Sequence, residues 1–244
     1  MANIFFIVCT YIATLTLGYE HIAPQWLVPT RNANLHPKAV LSNYPLVVLN
    51  ILIISVCTSW VISVAPNNDE SSFSLVCMLV PIAMILNNVL FFVAHVLLHH
   101  KKCWWIHCVH HKIHYPTAMG AFYQHPIETL VSTLVPLCLP PSLLGFPTWA
   151  VSIYIIIGIH QVIVAHTPFS WKPTDVEEKW HIIHHRSGNV NYGFQNAILD
   201  RLWGSVPPQG LPPTKSIHNN VKSTVLGYVP IPPMPARSRY TPAL

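Results

Sequence analysis

Residues 73–111 read FSLVCMLVPIAMILNNVLFFVAHVLLHHKKCWWIHCVHH, and this stretch carries the two features that decide the fold. Its first part, Phe73 to Leu98, is almost wholly apolar and exceeds the roughly 20 residues that a helix needs to cross a bilayer. Its second part is rich in histidine and lysine. The stretch therefore predicts a membrane-spanning helix that ends in a histidine-rich segment.

The composition of the whole chain agrees with a membrane protein. Of its 244 residues, 52% are hydrophobic and only 9% are charged, whereas a soluble domain is about a quarter charged. Further apolar stretches at Pro45–Val64, Ile127–Phe146 and Thr148–Ala165 are long enough to span, although prolines predict that the second of these is broken or re-entrant. We expect an all-α integral membrane protein with about four transmembrane helices and a cytosolic, histidine-rich helical cap that holds a dimetal site.

The chain divides into three predicted parts. Residues 1–40 form an N-terminal anchor or interfacial segment, because their apolar run from Ile4 to Leu17 is short. Residues 41–206 form the membrane domain. Residues 207–244 are rich in proline and form a solvated tail.

Basic residues follow the apolar stretches on one side. Lys101, Lys102 and Lys112 follow the second strong span, and Arg186 and Arg201 follow the last one. Because cytosolic loops carry an excess of lysine and arginine, both histidine-rich segments are predicted to face the cytosol. The net charge of +5 reflects this bias, and no nucleic-acid partner is predicted.

Histidine is the most frequent titratable residue, with 16 histidines against 8 acidic residues. His95 and His99 are four residues apart, and the pattern H-x-x-H-H occurs at residues 107–111 and again at 181–185. Residues at i, i+3 and i+4 share one helical face, and His166 ends the last span. Nine clustered imidazoles exceed the four ligands of one tetrahedral zinc and suit two adjacent metals.

Other site chemistries are poorly supported by the residues. Carboxylates are too few for a soluble-type di-iron bundle, because the only Glu-x-x-His is Glu178–His181. No H-E-x-x-H, P-loop or G-x-S-x-G occurs, which removes the motifs of zinc peptidases, nucleotide binding and acyl-enzyme chemistry. An all-histidine dimetal site at a membrane surface is what remains.

The flanks of the histidine groups resemble a known family. VHHKIHYPTAMGAFYQHPIE at residues 109–128 is similar to the stretch that joins two histidine boxes of the membrane fatty acid hydroxylase/sterol desaturase superfamily. HIIHHRSGNVNYGFQNAILDRLWGS at residues 181–205 resembles the third box and its ending. The flanks are closest to the sterol-oxidising branch, and the likeness runs from about Phe73 to Ser205.

This resemblance implies a function. Members of the superfamily activate O2 at two non-haem iron ions, take electrons from cytochrome b5 and its NAD(P)H reductase or a related donor, and oxidise lipophilic substrates. It implies hydroxylation or desaturation of a sterol, terpenoid or fatty acyl substrate in the endoplasmic reticulum membrane, with zinc as an alternative metal in purified samples. The implied metal ligands are His95, His99, His107, His110, His111, His166, His181, His184 and His185.

Six further residues are predicted to surround these ligands and orient them: His125, Glu128, Asn191, Asp200, His100 and His114. A direct ligand role for His125 stays open, as does a simple turn and helix-cap role for Asn191 and Asp200. Two other functions also stay open. One is a metal-binding membrane protein that lacks catalysis, and the other is an aldehyde-cleaving or isomerising relative.

Overall fold

The computed structural model describes residues 2–22, 44–67, 73–113, 117–167, 181, 183–185, 188–194 and 197–206. Within these residues every regular element is a helix. The α-helices are α1 (Ala2–Ile22), α2 (Tyr44–Val64), α3 (Phe73–His99), α4 (Trp104–His107), α5 (Pro126–Glu128), α6 (Val135–Leu143), α7 (Thr148–Ala165) and α8 (Ile198–Trp203). Two 3-10 helices, His110–Lys112 and Met119–Phe122, and a π-helical turn, Thr129–Leu134, complete the chain path.

Four described helices are long and apolar enough to cross a membrane, namely Ala2–Tyr19 within α1, and α2, α3 and α7. The predicted fold class is thus confirmed, but the four helices are not the four predicted. Helix α1 runs from Ala2 to Ile22 and is longer than the apolar run Ile4–Leu17. The predicted span Ile127–Phe146 is instead divided among α5, the π-helical turn and α6, none of which reaches spanning length.

Proline leaves one backbone carbonyl of this stretch without its helical partner, although α6 continues through Pro140 to Leu143. Pro140 has no N–H, so the carbonyl of Pro136 loses the donor that an uninterrupted helix would supply four residues later. The side chain of Asn87, inside α3, donates to that carbonyl from Nδ2 at 2.9 Å. A polar residue in an apolar helix is therefore used to satisfy a backbone oxygen of its neighbour.

The spanning helices are apolar on the outside and carry polar groups inside. Val56, Met78, Ile85 and Ile157 are between 52% and 72% exposed, as expected for side chains that contact lipid. In contrast, Thr58 is fully buried and its hydroxyl donates to the carbonyl of Ile54 at 2.7 Å. This arrangement is favourable when the surrounding solvent is hydrocarbon.

Helix α2 holds the cap through one buried asparagine. The Nδ2 atom of Asn50 donates to the carbonyls of Phe122 at 2.9 Å and Gln124 at 2.7 Å. Its Oδ1 atom accepts from the hydroxyl of Thr129 at 2.8 Å. These three hydrogen bonds fasten the chain from Phe122 to Thr129, on both sides of α5, to a spanning helix.

The ends of the helices define the position of the cap. Helix α3 ends at His99, α7 ends at Ala165, and α5 begins at Pro126, so these three ends lie on one side. On the opposite side the Thr148 N–H donates to the carbonyl of Pro66 at 2.9 Å and joins the start of α7 to the end of α2. The predicted tail, 207–244, lies outside the described residues.

Candidate metal centre

Nine histidines meet where these helices end. They form two groups, and within each group the candidate ligand nitrogens lie within 4.8 Å of one another. The five-histidine group consists of His95, His99, His107, His111 and His184. The four-histidine group consists of His110, His166, His181 and His185. Every member except the partly exposed His99 is buried, so the structure brings together all nine residues that the sequence predicts as ligands.

Each H-x-x-H-H pattern contributes to both groups. His107 and His111 enter the five-histidine group, while His110 between them enters the four-histidine group. His181 and His185 behave in the same way around His184. The sequence placed all three histidines of a pattern on one helical face, but in both patterns the first and last histidines share one group and the middle histidine enters the other.

Backbone carbonyls fix the protonation of four ligands. The Nδ1 atoms of His95 and His184 contact the carbonyls of Tyr192 and Val190, each at 2.7 Å. The Nδ1 atoms of His110 and His166 contact two further carbonyls, those of Tyr123 at 3.1 Å and Val162 at 2.8 Å. Because a carbonyl only accepts, each of these Nδ1 atoms carries the proton and each Nε2 atom presents a lone pair.

These lone pairs point at one another. The Nε2 atoms of His110 and His166 are 3.2 Å apart, yet neither has a hydrogen to donate. Two lone pairs at this distance repel unless a cation lies beside them. Two nitrogens at right angles around a metal with bonds of about 2.1 Å are about 3 Å apart, so the spacing suits shared coordination of a metal ion.

Burial keeps the imidazoles neutral. It lowers the pKa of His110 to about 4 and that of His166 to about 3, with neighbouring histidines adding to the effect at His166. Burial also lowers the pKa of His107 and His184 well below the usual value. At neutral pH these side chains therefore carry no proton on the ligand nitrogen.

His185 supplies an independent test of the fit. Both of its ring nitrogens are buried and have no hydrogen-bond partner among the described residues. An unpaired buried polar group costs free energy, whereas coordination of a metal would satisfy the nitrogen that faces the group. The donor set, all imidazole, suits borderline metals such as iron, zinc and copper.

Glu128 orients one ligand of the five-histidine group. Its Oε1 atom is 2.8 Å from Nδ1 of His107, and both side chains are 2% exposed. Burial raises the pKa of the Glu128 carboxyl well above its usual value, and its Oε2 atom has no partner among the described residues. A carboxylate behind a ligand histidine raises the basicity of the imidazole and holds its ring in place.

Asp200 and Asn191 shape the loop that positions His95. The carboxylate of Asp200 accepts from the N–H groups of Tyr192 at 2.7 Å and Gly193 at 2.9 Å, and the carbonyl of Tyr192 is the partner of His95. Asn191 is buried, has a φ of 55°, and donates its N–H to Ser205 at 2.8 Å. Asp200 thus acts on a ligand through one backbone carbonyl.

The remaining predicted residues lie away from the ligand nitrogens. His125 caps α5, where its Nδ1 accepts from the Ile127 N–H at 3.2 Å, and it belongs to neither group. His100 is exposed, and its Nδ1 accepts from the Lys102 N–H at 3.3 Å. His114 lies outside the described residues.

A cavity lies beside both groups. It is lined by His95, His107, His110, His166 and His181, and its other walls come mainly from α3, α7 and the segment from α5 to α6. These walls include Asn87, Phe91, Gln124, Glu128, Ser132, Pro136, Leu137, Gly158, Gln161, Val162 and Phe194. Residues four and eight positions before a histidine share its helix face. Asn87 and Phe91 precede His95 in this way, and Gly158 and Val162 precede His166, so this spacing is the sequence pattern that indicates cavity walls.

Known proteins share this region of the chain. Residues 80–205, which include all nine histidines, match the model of the family described as fatty acid hydroxylase. The chain is 28% identical over 151 residues, 60% of its length, to fatty acid hydroxylase domain-containing protein 2 of Homo sapiens. It is 31% identical over 125 residues, 46% of its length, to methylsterol monooxygenase 1 of Gallus gallus.

The matched regions cover 43% of the human protein and 40% of the chicken protein, so the chain spans less than half the length of these relatives. No solved structure matches the chain. The family match and the two relatives confirm the resemblance drawn from the sequence.

Proposed function

Because the chain belongs to the fatty acid hydroxylase family, we propose that it is a membrane-bound non-haem di-iron oxidoreductase. It uses O2 and electrons to hydroxylate or desaturate a lipophilic substrate of the sterol, terpenoid or fatty acyl type. The observation that carries this proposal is the convergence of neutral, buried Nε2 lone pairs in two adjacent groups.

Two groups favour two metal ions. Five imidazoles surround one position and four surround the other, and imidazole is an accepted ligand of iron. Bound there, iron would supply the O2-derived oxidant for an unactivated C–H bond, which no amino-acid side chain provides. The chain itself holds the ligands, keeps them unprotonated and excludes bulk water from the site.

The cavity favours a lipophilic substrate. Phe91, Pro136, Leu137 and Val162 give it apolar walls, and no lysine or arginine occurs among the described residues that line it. A neutral, apolar molecule that enters from the bilayer fits such a wall, while Gln124 and Gln161 offer amide groups that can orient a hydroxyl or carbonyl. Methylsterol monooxygenase 1 is a relative whose name states a lipid substrate of this kind.

The charges favour a cytosolic site in an internal membrane such as the endoplasmic reticulum. Lys101, Lys102, Lys112 and Arg201 are exposed and follow the helix ends that carry the histidines, as the positive-inside tendency expects. In that position the site meets cytosolic electron donors. Cytochrome b5 with its NAD(P)H reductase is the donor that we propose.

Metal content and iron spectroscopy test the proposal. The full chain is expressed with iron-57, purified in detergent, and measured by elemental analysis and Mössbauer spectroscopy. We expect about two irons per chain in a magnetically coupled pair, followed by O2- and NAD(P)H-dependent formation of an oxidised product from a membrane lipid extract. Zinc in the first preparation calls for reconstitution with ferrous iron.

Two results would overturn the proposal. If the chain binds no iron after reconstitution, it cannot carry out the proposed iron chemistry. A chain that binds iron but oxidises nothing in the presence of donor, reductase and lipid extract is a metal-binding protein without this activity. A product without oxygen-18 incorporation or added unsaturation would indicate a cleaving or isomerising relative.

A further inference from the structure

One tryptophan connects the five-histidine group to the surface of the cap. The ring centre of Trp104 lies 5.4 Å from that of His99, 5.4 Å from that of His111 and 6.0 Å from that of His107. All three histidines belong to the five-histidine group. Trp104 is partly exposed, whereas His107 and His111 are buried, so the indole lies between the ligands and solvent.

The surface around Trp104 is basic and aromatic. Lys101 and Lys102 precede it and are exposed, and Trp105 beside it is 58% exposed. The two carboxylates described next to the histidine groups, Glu128 and Asp200, are buried, at 2% and 1% exposure, so neither lies at the surface beside the lysines.

We propose that electrons enter at this face, where a small electron-carrier protein with an acidic surface docks on Lys101, Lys102 and Trp105. Trp104 lies between the docked carrier and the five-histidine group and connects the two through protein atoms. This inference rests on the proposed function, because it requires a reducible metal in the groups. Opposite charges steer such encounters, and an exposed tryptophan is a frequent anchor of a protein interface.

The electron balance fixes what the docking face has to do. Hydroxylation consumes one O2, two protons and two electrons, inserts one oxygen atom into a C–H bond and releases the other as water. A one-electron carrier therefore binds twice in each turnover and leaves oxidised each time. A transient, charge-steered contact suits this repeated binding and release better than a tight apolar interface does.

An anionic lipid surface is the other occupant that lysines next to a membrane can attract. The contact of Trp104 with three ligand rings favours the carrier, because lipid binding gives no reason for an indole to bridge from the basic face to the ligands. Experiments in neutral detergent separate the two, since no anionic lipid is then present.

The test follows reduction of the iron-loaded full chain by stopped-flow absorbance in neutral detergent. The reductant is the reduced soluble haem domain of cytochrome b5, and dithionite, which needs no docking face, is used in parallel. The variants are Lys101→Glu, Lys102→Glu and Trp104→Leu. Arg201→Glu on α8 is the matched control, because it makes the same charge change at another exposed position.

We expect Lys101→Glu and Lys102→Glu each to lower the second-order rate with the haem domain about tenfold at low salt, and less at high salt. Arg201→Glu should stay within about twofold of the unsubstituted chain. Trp104→Leu should lower the limiting rate at saturating carrier about tenfold with unchanged iron content, and Trp104→Phe, which keeps an aromatic ring, should lower it less. Dithionite rates should be the same in all variants.

The outcomes distinguish the two proposals. If dithionite reduces no iron in the unsubstituted chain, the proposed function fails. If dithionite and the haem domain both reduce it, but the lysine variants react like Arg201→Glu, the docking face is overturned. The docking face is also overturned if the lysines matter only after anionic lipid is added. Loss of iron in Trp104→Leu together with normal reduction of Trp104→Phe would leave Trp104 a merely structural role.

Discussion

The two histidine groups differ in how firmly their ligands are held. In the five-histidine group, His95 and His184 bond to backbone carbonyls and His107 bonds to the carboxylate of Glu128. In the four-histidine group, His110 and His166 bond to carbonyls. The Nδ1 atoms of its other two members, His181 and His185, find no partner among the described residues.

This difference indicates two metal positions of unequal strength. Outer partners fix the tautomer and ring direction of a ligand, and a carboxylate also makes it a stronger base. The five-histidine group has the only carboxylate among the described outer partners, and its loop is organised by Asp200. We therefore expect the five-histidine group to bind its metal more tightly and the four-histidine group to lose or exchange its metal first.

Removal of a ligand should have the largest effect and should separate the groups. His107→Ala is expected to empty the five-histidine group and His110→Ala the four-histidine group, each with the loss of about one metal per chain. Turnover should fall more than about 100-fold in both, because loss of a ligand exceeds the cost of losing an outer partner. Elemental analysis and product formation measure these effects.

Membrane insertion is the control for these two variants, since neither histidine contributes to the apolar faces of the spanning helices. Extraction from membranes should be unchanged. Retention of both metals and of turnover in His110→Ala would remove the four-histidine group from the centre.

Loss of the carboxylate should weaken one group selectively. Glu128→Gln replaces the carboxyl group behind His107 by an amide, which is a weaker partner for the imidazole, so we expect a loss of about 10–100-fold in the metal affinity of the five-histidine group. Titration against a competing chelator measures it. Ser132→Ala is the matched control, because Ser132 also lines the cavity but donates to the Glu128 carbonyl, at 2.9 Å. Equal losses at both positions would contradict the asymmetry.

Acid should destabilise the metal-free protein. Unfolded histidine takes up a proton below about pH 6.5, but folded His110 does so only near pH 4 and His166 near pH 3. Between these values the unfolded state binds more protons, so stability falls as the pH falls. We expect the melting temperature to drop by roughly 5 °C between pH 7.5 and 5, measured by tryptophan fluorescence. A pH-independent melting temperature would mean that these side chains are hydrated.

A change in helix packing should have the smallest effect. A Cβ on Gly158 in α7 would collide with the Leu137 side chain in α6, so Gly158→Ala should move α7, whose last residue precedes His166. We expect about a threefold loss of metal affinity in the four-histidine group and a cost of about 1–3 kcal/mol. Gly18→Ala in α1, where a Cβ meets no atom within 4 Å, is the control. An unchanged affinity would show that Leu137 yields without moving α7.

Local patterns predicted the fold class and the nine histidines, because both follow from residue type and spacing. Apolar length gave the number of spanning helices, and histidine spacing gave the candidate ligands. The identity of the spans was harder. The stretch Ile127–Phe146 folds as α5, a π-helical turn and α6, and Asn87 of another helix satisfies its Pro136 carbonyl. Such a contact has no local sequence pattern.

For the same reason, the division of the histidines into two groups could not be predicted from the sequence. Helical periodicity places His107, His110 and His111 on one face, but it does not show that His110 joins His166 while His107 and His111 join His95. The partners of His95 and His184 are carbonyls of Tyr192 and Val190, and every residue has a carbonyl. Side-chain identity therefore could not reveal these carbonyl partners. Glu128, in contrast, was predicted because its own side chain contacts His107.

The three hydrogen bonds of Asn50 bear on how small a working unit of this protein can be made. The family match begins at residue 80, whereas Asn50 lies in α2 and secures the chain on both sides of Gln124. A fragment cut at the start of the match would contain every ligand but would leave the Phe122 and Gln124 carbonyls without this donor. A design that transfers the centre into another scaffold therefore has to include α2 or supply another hydrogen-bond donor for these two carbonyls.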